Sequence, residues 1–258
     1  EKFFFGYKEQ LGKGQFKTFS GYHDLDDELD FFFTVGGDGT FLRSITFIRD
    51  RNIPVIGINT GRLGFLATIQ KENIEFAFEQ IMAKKYRIRK RSLLSIDTDE
   101  RENLFEGLHF ALNEITVTRK NTASMIKVDT VLDEEFLTTY WSDGLIISTP
   151  TGSTGYSLSC GGPIISPSSK NIALTPIAPH SLAVRPLVIP EETKIELKID
   201  SRTEEVLLTL DSRMYTLSNK SRVFIEKCSF FIHTVQLDDQ SFIKTLREKL
   251  LWGEDKRN

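Results

Sequence analysis

Cysteine is nearly absent from this 258-residue chain: only Cys160 and Cys228 occur, far apart. No His or Cys stands near either at metal-ligand spacing, which excludes a disulfide framework and a zinc-type motif and fits reduced thiols in a cytoplasmic protein. Histidine is scarce too. His23, His109, His180 and His233 share no recognisable spacing with an Asp and a Ser or Cys, so a hydrolytic triad has no support and surface or packed imidazoles are expected. No apolar run approaches the roughly 18 residues needed to span a bilayer. Glu1-Lys2-Phe3-Phe4-Phe5 is too short for a secretion signal, and a start at Glu points to a fragment. Positive charge is not in excess either. With 33 Lys and Arg against 36 Asp and Glu the net charge is −3, which argues against a general nucleic-acid surface. The densest basic stretch, Lys84-Lys85-Tyr86-Arg87-Ile88-Arg89-Lys90-Arg91, reads as a solvated strand face, with a nucleic-acid patch as the alternative and an anionic substrate as a further user.

What is present is a globular composition, 40% hydrophobic with 20 Phe, long enough for one large or two ordinary domains. The most informative stretch is Gly36-Gly37-Asp38-Gly39-Thr40. A hydrophobic, aromatic run, Leu29–Val35, precedes it and suits a buried strand. Phe41, Leu42, Ile45 and Ile48 follow at helical spacing. Strand, glycine turn and helix bring bare N–H groups and a helix N-terminus to a phosphate. A carboxylate there is repelled by phosphate, so Asp38 needs an offsetting role, such as accepting the proton of an attacking hydroxyl. The alternative is a tight turn needing positive φ.

Along the chain, residues 1–28 show no clear period. A second strand is expected at Ile53–Asn59, followed by a turn over Thr60–Leu66 and a helix carrying Ile74, Ala77, Phe78 and Ile81. That rhythm predicts a doubly wound α/β nucleotide-binding domain. After residue 90, alternating runs take over at 92–96, 112–117, 126–132, 136–141, 144–148, 194–199, 206–210, 223–225 and 230–235. They predict a C-terminal antiparallel, β-sandwich-like domain. The last stretch, Ser241–Trp252, places Phe242, Leu246, Leu250 and Leu251 at helical spacing and should dock back on the first domain. The expected division is therefore 1–91 plus 238–258, and 92–237.

Two further stretches carry candidate chemistry. Asp143–Pro163 runs from a strand into hydroxyl-rich residues that offer compact donors and acceptors for an adenine or ribose edge; an ordinary loop with helix caps is the alternative. Asn113 and Glu114 stand side by side at the entry to a strand, where neighbours face opposite ways unless a bulge or loop re-aims them.

Taken together, the set resembles the NAD kinase family, in its bacterial, Bacteroides-like branch, from about residue 29 to the C-terminus. The resemblance rests on Gly36–Thr40, Gly57–Leu66, Asn113-Glu114, and Asp143-Gly144 leading into Thr149–Thr154, with Ala178-Pro179-His180-Ser181 and Arg185-Pro186-Leu187 in agreement. It implies ATP-dependent phosphorylation of the 2′-hydroxyl of NAD's adenosine ribose, with Asp38 as proton acceptor. Gly36, Gly37 and Gly39 would let the backbone approach phosphates, Thr40 would open the helix, and Arg43 would lie near phosphate. Phe65 would line the pocket, and Asn113 and Glu114 would hold ribose and adenine. Asp143, Thr151, Thr154 and Ser159 would add polar contacts, Tyr156 and Ala178 would lie against the base, and Gly155, Ser157 and Leu158 would complete the lining. The divalent cation, Mg2+, would come with ATP, with no protein metal site. The partners implied are NAD and ATP and further copies of the chain in a homodimer or homotetramer, without nucleic acid or membrane.

Three departures accompany the match. Gly155 stands where the family usually has Ala, and the lost methyl is expected to loosen the loop. Asp211-Ser212-Arg213 replaces the usual Asp-Gly and following amide. The family's leading strand and helix do not precede residue 1, the expected mark of a truncation. Gly-Gly-Asp-Gly also occurs in lipid and phosphofructo kinases, so a lipid or sugar kinase is one alternative reading and a catalytically silent dinucleotide sensor is another.

Overall fold

The computed structural model describes residues 19–26, 28–100, 104–120 and 124–251. The unpatterned start of the chain up to residue 18, and Trp252 at the end of the predicted terminal helix, lie outside the described residues. Strand β1 (Phe32–Gly36) is the second half of the aromatic run and ends on the first glycine of the motif. Helix α1 (Asp38–Ile48) begins on Asp38 and buries Phe41, Ser44, Ile45 and Ile48, the stripe that a 3.6-residue period aligns. Strand β2 (Val55–Asn59) is buried throughout, and β3 (Ile69–Gln70) and helix α2 (Ile74–Met82) follow. Strands β1, β2 and β3 pair in parallel. Val55 on one side of β2 packs with α1, while Ile56 and Ile58 pack with Ala77 and Ile81 of α2. Helices therefore cover both faces of the parallel strands, the doubly wound arrangement expected.

The chain then builds β4 (Tyr86–Thr98), β5 (Phe110–Ala111), β6 (Glu114–Arg119), β7 (Ile126–Leu132), β8 (Glu135–Ser142) and β9 (Gly144–Ser148). A one-turn helix, α3 (Tyr156–Ser159), precedes β10 (Asn171–Ile177), β11 (Leu187–Pro190), β12 (Ile195–Asp200), β13 (Glu205–Leu210) and β14 (Arg213–Ser218). The long β15 (Arg222–Leu237) and helix α4 (Phe242–Leu250) close the described chain. One nine-stranded sheet runs β1-β2-β15-β12-β7-β8, with β3 on β2, β4 on β15 and β5 on β4. The other, six-stranded and antiparallel, runs β11-β10-β9-β6-β13-β14. The largest core lies between them, and the inward residues of β12 (Ile195, Leu197, Ile199) belong to it.

Strand β4 runs unbroken through residue 91. Its first half, Tyr86–Ser92, pairs with Phe231–Leu237 of β15 and its second half, Leu94–Thr98, with Val223–Lys227, across an irregularity at residues 228–230. Strand β15, which also pairs in parallel with β2 at Thr234 and Val55, thereby joins the parallel strands to the antiparallel ones. The alternating pattern does not reveal β10, β11 or β14. In β10, Ile172 through Pro176 are all buried, so no polar face exists to alternate with. Strand β14 is an edge with only Leu217 buried. Helix α4 takes its N-cap from Ser241, whose hydroxyl accepts the Lys244 N–H at 3.1 Å. It rests on the first half of the fold, with Gln240 hydrogen-bonded to Thr68 just before it. Among the described residues no helix is long and apolar enough to cross a membrane.

Ile45 sits on α1 with no exposed surface, packed under β1 and β2. Ile45→Ala is expected to cost about 2–5 kcal/mol of unfolding free energy, read from chemical denaturation. A loss near zero would place α1 off the sheet.

Candidate active site

The centre of the site is made by a side chain and a loop that are distant in sequence. Asp38 is the first residue of α1, and its carboxylate accepts three consecutive backbone N–H groups, from Phe65 at 2.9 Å, Leu66 at 3.0 Å and Ala67 at 2.9 Å. The loop that supplies them leaves β2 at Asn59, whose Oδ1 accepts the Gly61 N–H at 2.8 Å and whose Nδ2 donates to the Ala67 carbonyl at 3.3 Å. Gly64 is where this loop comes nearest. A Cβ there would lie 1.9 Å from Asp38 Oδ1. Gly36 has φ +154°, and a Cβ would meet Thr40 Oγ1 at 2.3 Å, so Thr40 folds back over the end of β1. A Cβ on Gly37 or Gly39 would meet nothing within 4 Å; their backbone is open for a phosphate to approach. Arg43 is exposed one turn further along α1.

Helix α4 reaches the same point from the far end of the chain. Lys249 Nζ lies 3.7 Å from Asp38 Oδ2 and 4.7 Å from the centre of the Phe65 ring, and Phe242 sits 6.3 Å from Phe65, ring to ring. Nothing in the local sequence marks Lys249; only the docking of the helix brings it here.

The second wall is the corner between β5 and β6. Leu112 and Asn113 form a bend there, and this bend re-aims the Asn-Glu pair toward one place. A Cβ on Gly155 would lie 3.2 Å from Glu114 Oε2 and 3.7 Å from Asn113 Nδ2. The buried carboxylate of Asp211 holds the bend, accepting the N–H groups of Leu112 (3.0 Å), Asn113 (2.7 Å) and Glu114 (3.3 Å). Arg213 braces it: its guanidinium is 3.9 Å from Asp211 and donates to the carbonyls of Leu108 and Phe110. The Asp211-Ser212-Arg213 departure is therefore the clamp on the Asn113–Glu114 corner, a role that sequence inspection missed.

Asn113 Oδ1, Glu114 Oε2 and Ser148 Oγ are buried without a hydrogen-bond partner among the described residues, and Ser148 lies opposite Glu114 in the β6–β9 register. Three unsatisfied polar atoms at one corner cost free energy unless a ligand engages them. Burial, and secondarily the charge of Asp211, push the Glu114 carboxyl up to about 8. Asp211 is also raised by burial, while its three N–H donors and Arg213 oppose this. The negative charge of the pair belongs on Asp211, the partnered member, and Glu114 is a neutral acid at pH 7, able to donate as well as accept.

The hydroxyl-rich loop closes over this corner. Thr149 ties it down through its hydroxyl to the Leu112 carbonyl (2.6 Å) and its N–H to the Asn113 carbonyl (2.9 Å). Gly152 crosses so near that a Cβ would lie 2.0 Å from the Asn113 carbonyl oxygen. Several hydroxyls are spent on the fold: Ser153 bonds the Pro150 carbonyl at 2.7 Å, and the fully buried Ser157 bonds Thr175 at 2.9 Å. Ser157 therefore turns its side chain to the core, away from the cleft. Leu158 is half-buried, while Tyr156 and Ser159 are exposed. The Tyr156 phenol is raised by burial and then by Cys160, Asp143 and Glu114. Gly155, at the end of the Gly152–Thr154 turn, bonds Gly152 at 2.8 Å; the absent methyl leaves room against Glu114 Oε2.

Phe65, Leu66, Thr151 and Thr154 line one cleft of about 270 Å³, so the Asp38 loop and the hydroxyl loop face each other. Asp143 and Ala178 are not among the residues that line this cleft. Asp143 precedes β9, whose other end leads to Thr149, about 17–20 Å along an extended chain of six residues; it pairs with Arg119 at 2.8 Å. Ala178 follows β10 beside it, because Ile177 pairs with Gly144.

Comparison with known proteins agrees with this architecture. Residues 13–86 match the family model of the ATP-NAD kinase N-terminal domain, and residues 112–237 that of the ATP-NAD kinase C-terminal domain. The chain is 56% identical over 243 residues to the NAD kinase of Christiangramia forsetii, covering 94% of this chain and 83% of that one. It is 43% identical over 238 residues to the NAD kinase of Bacteroides fragilis, covering 91% and 81%. A crystal structure of an NAD kinase from Archaeoglobus fulgidus in complex with ATP superposes with a TM-score of 0.74 at 30% identity, over 87% of this chain and 84% of that one. A glycine-flanked carboxylate at a helix start, a facing corner of unsatisfied polar atoms, and two matched domains lead to one assignment: the chain belongs to the ATP-NAD kinase family.

Proposed function

We infer that this chain transfers the γ-phosphoryl group of ATP to the 2′-hydroxyl of the adenosine ribose of NAD, giving NADP and ADP. The observation that carries the reading is one cleft lined both by the loop that pins Asp38 and by the hydroxyl loop over the corner where Asn113 Oδ1, Glu114 Oε2 and Ser148 Oγ lie buried and unpartnered. A carboxylate beside glycines whose backbone is open suits a hydroxyl that must lose a proton next to phosphate. A corner holding an amide and a neutral carboxylic acid suits the edges of a ribose and an adenine.

In this reading the 2′-oxygen attacks the γ-phosphorus, the new O–P bond forms, and the bond from that phosphorus to the β,γ-bridging oxygen breaks. The hydroxyl proton passes to Asp38, and ADP leaves with the bonding pair. The three N–H groups of residues 65–67 fix the carboxylate in place, so its position does not depend on the substrate. Asn113, Glu114, Thr151 and Thr154 hold the adenosine, Phe65 lines its pocket, and Tyr156, Leu158 and Ser159 border it. Gly37, Gly39 and Thr40 receive phosphate at the start of α1, with Arg43 beside them. Asp143 and Ala178, at the opposite end of β9 and β10, serve the dinucleotide in an assembly of two or four copies. Among the described residues no group of three or more His, Cys, Asp or Glu side chains converges. The divalent cation would accompany ATP as part of the substrate, held through the phosphate oxygens, and would neutralise charge there.

Asp38→Asn is expected to lower the rate of NADP formation about a hundred- to ten-thousand-fold while NAD still binds, read by a coupled NADP assay and by calorimetry. Normal turnover by this variant would end the assignment of Asp38 as base. Gly64→Ala drives a methyl group into Asp38 Oδ1 and should reduce turnover by at least about tenfold, since small misplacements of reacting groups are costly. Circular dichroism would show the fold retained. Glu114 has a folded pKa of about 8, above its unfolded value. Its contribution is therefore full at low pH and is lost as pH rises through about 8. Thermal melts should show Glu114→Gln gaining on the wild type between pH 5 and pH 9; parallel curves would show that Glu114 is ionised in the fold.

A further inference from the structure

The cleft that Phe65, Leu66, Thr151 and Thr154 border continues away from the Asn113–Glu114 corner, to a wall to which the preceding reading gives no role. On that side it is lined by Arg89, Lys90 and Arg91 of β4, by Ser166 and Ser168, and by the start of α4 at Ser241 and Thr245. Among the described residues that line the cleft there are three cations and no Asp or Glu, in a chain whose net charge is −3.

Alternate residues of β4 share a face, so Arg87, Arg89 and Arg91 point the same way. Their partners differ. Arg87 is 3.3 Å from the carboxylate of Asp238. Arg89 donates to the neutral Gln236 side chain at 2.8 Å, and Arg91 to the Thr234 hydroxyl at 3.3 Å. The two arginines that face the cleft are thus the two on that face with neutral partners. Burial and the neighbouring charge of Arg89 push the Arg91 guanidinium down to about 10; two like charges are held together against their repulsion, an arrangement that an anion between them would relieve.

The cleft also leads to the reaction centre. Thr245 lines it, and Lys249 lies one turn further along α4, about 6 Å along the axis. There Lys249 lies 3.7 Å from Asp38. Cations thus stand on the β4 wall of the cleft and, one turn beyond Thr245, beside the carboxylate proposed as base.

We propose that this basic wall binds the polyphosphate chain of the phosphoryl donor, with Arg89 and Arg91 as its ligands and Lys249 receiving the terminal phosphate beside Asp38. This rests on the kinase reading above and adds where the donor lies. Arg89 and Arg91 stand about 7 Å apart along the strand, which suits two groups of one chain better than a single phosphate. The adenosine of the acceptor is met by Asn113, Glu114 and the hydroxyl loop, of which Thr151 and Thr154 line the cleft.

Inorganic tripolyphosphate is the probe, titrated into the full chain by calorimetry. The wild type should bind it, ATP should displace it and NAD should not. The double variant Arg89→Gln with Arg91→Gln should bind it at least about tenfold more weakly, as expected for two lost charge-assisted contacts. In steady state the KM for ATP should rise by a similar factor with the KM for NAD within about twofold, whereas Lys249→Met should lower kcat and Lys249→Arg restore part of it. If the double variant does not fold, Arg89→Gln alone should show about a threefold loss, because Arg89 is exposed. Unchanged tripolyphosphate affinity in the variants, or displacement by NAD and not ATP, would overturn the proposal. A rise only in the KM for NAD would do the same. Asp38→Asn separates the two readings: it should leave tripolyphosphate binding intact, and normal turnover by it would remove the base while leaving the phosphate wall standing.

Discussion

One carboxylate accepting three consecutive backbone N–H groups is the contact on which this site depends. Asp38 sits where the electropositive start of α1 meets the loop from β2, and the N–H groups of Phe65, Leu66 and Ala67 converge on it. Each such bond to an ionised acceptor is stronger than a neutral one, and three together fix the group in space without a substrate. The loop can come this close only because Gly64 has no side chain and because Asn59 binds both ends of the turn. Carboxylate and loop geometry are consequently one construction: a change that moves either one moves the other.

The same device recurs on the facing wall. Asp211 collects the N–H groups of Leu112, Asn113 and Glu114, and it too is reached from a distant part of the chain. Its burial raises the free energy of a charge there, and the donors with Arg213 offset this. The cost appears in Glu114, which is left uncharged with an unpartnered oxygen. A neutral acid recognises a polar ligand edge through both donor and acceptor, and a carboxylate could offer only acceptors. The two clamps thus differ in consequence: the first holds a carboxylate between a helix start and a loop, and the second leaves its neighbour Glu114 buried with a raised pKa.

Strands β4 and β15 keep the two walls in register. Strand β15 pairs in parallel with β2 and antiparallel with β12 and β4, and β4 runs beside it for most of its length, so the walls share a backbone frame. The same β4 presents the arginine row, and β15 leads directly into Gln240 and α4, which carries Lys249 back to Asp38. Helix α4 has no fully buried residue; it is held by Phe242 on Phe65, by Gln240 on Thr68 and by Lys249 itself. It is the least anchored part of the site.

Much of this was legible in the residues. Periodicity located α1, β2, α2, most of the antiparallel strands and α4, because each has one polar and one apolar face, and a pattern of period 3.6 or 2 records that asymmetry. It missed β10, whose interior residues are all buried, and the edge strand β14, for which burial leaves no regular trace. Gly36–Thr40 announced a strand, a bare turn and a helix start, since those demands are local. The sequence by itself determined which residues could carry the chemistry: an acid among glycines, an amide beside an acid, and hydroxyls in a loop. Tertiary structure decided which of them meet. It turned Asn113 and Glu114 the same way, buried the Ser157 side chain in the core, paired Asp143 with Arg119, and brought in Asp211, Gly64 and Lys249. Each of those placements depends on contacts between residues 18 to more than 200 positions apart, and no local pattern encodes a contact made across such a distance.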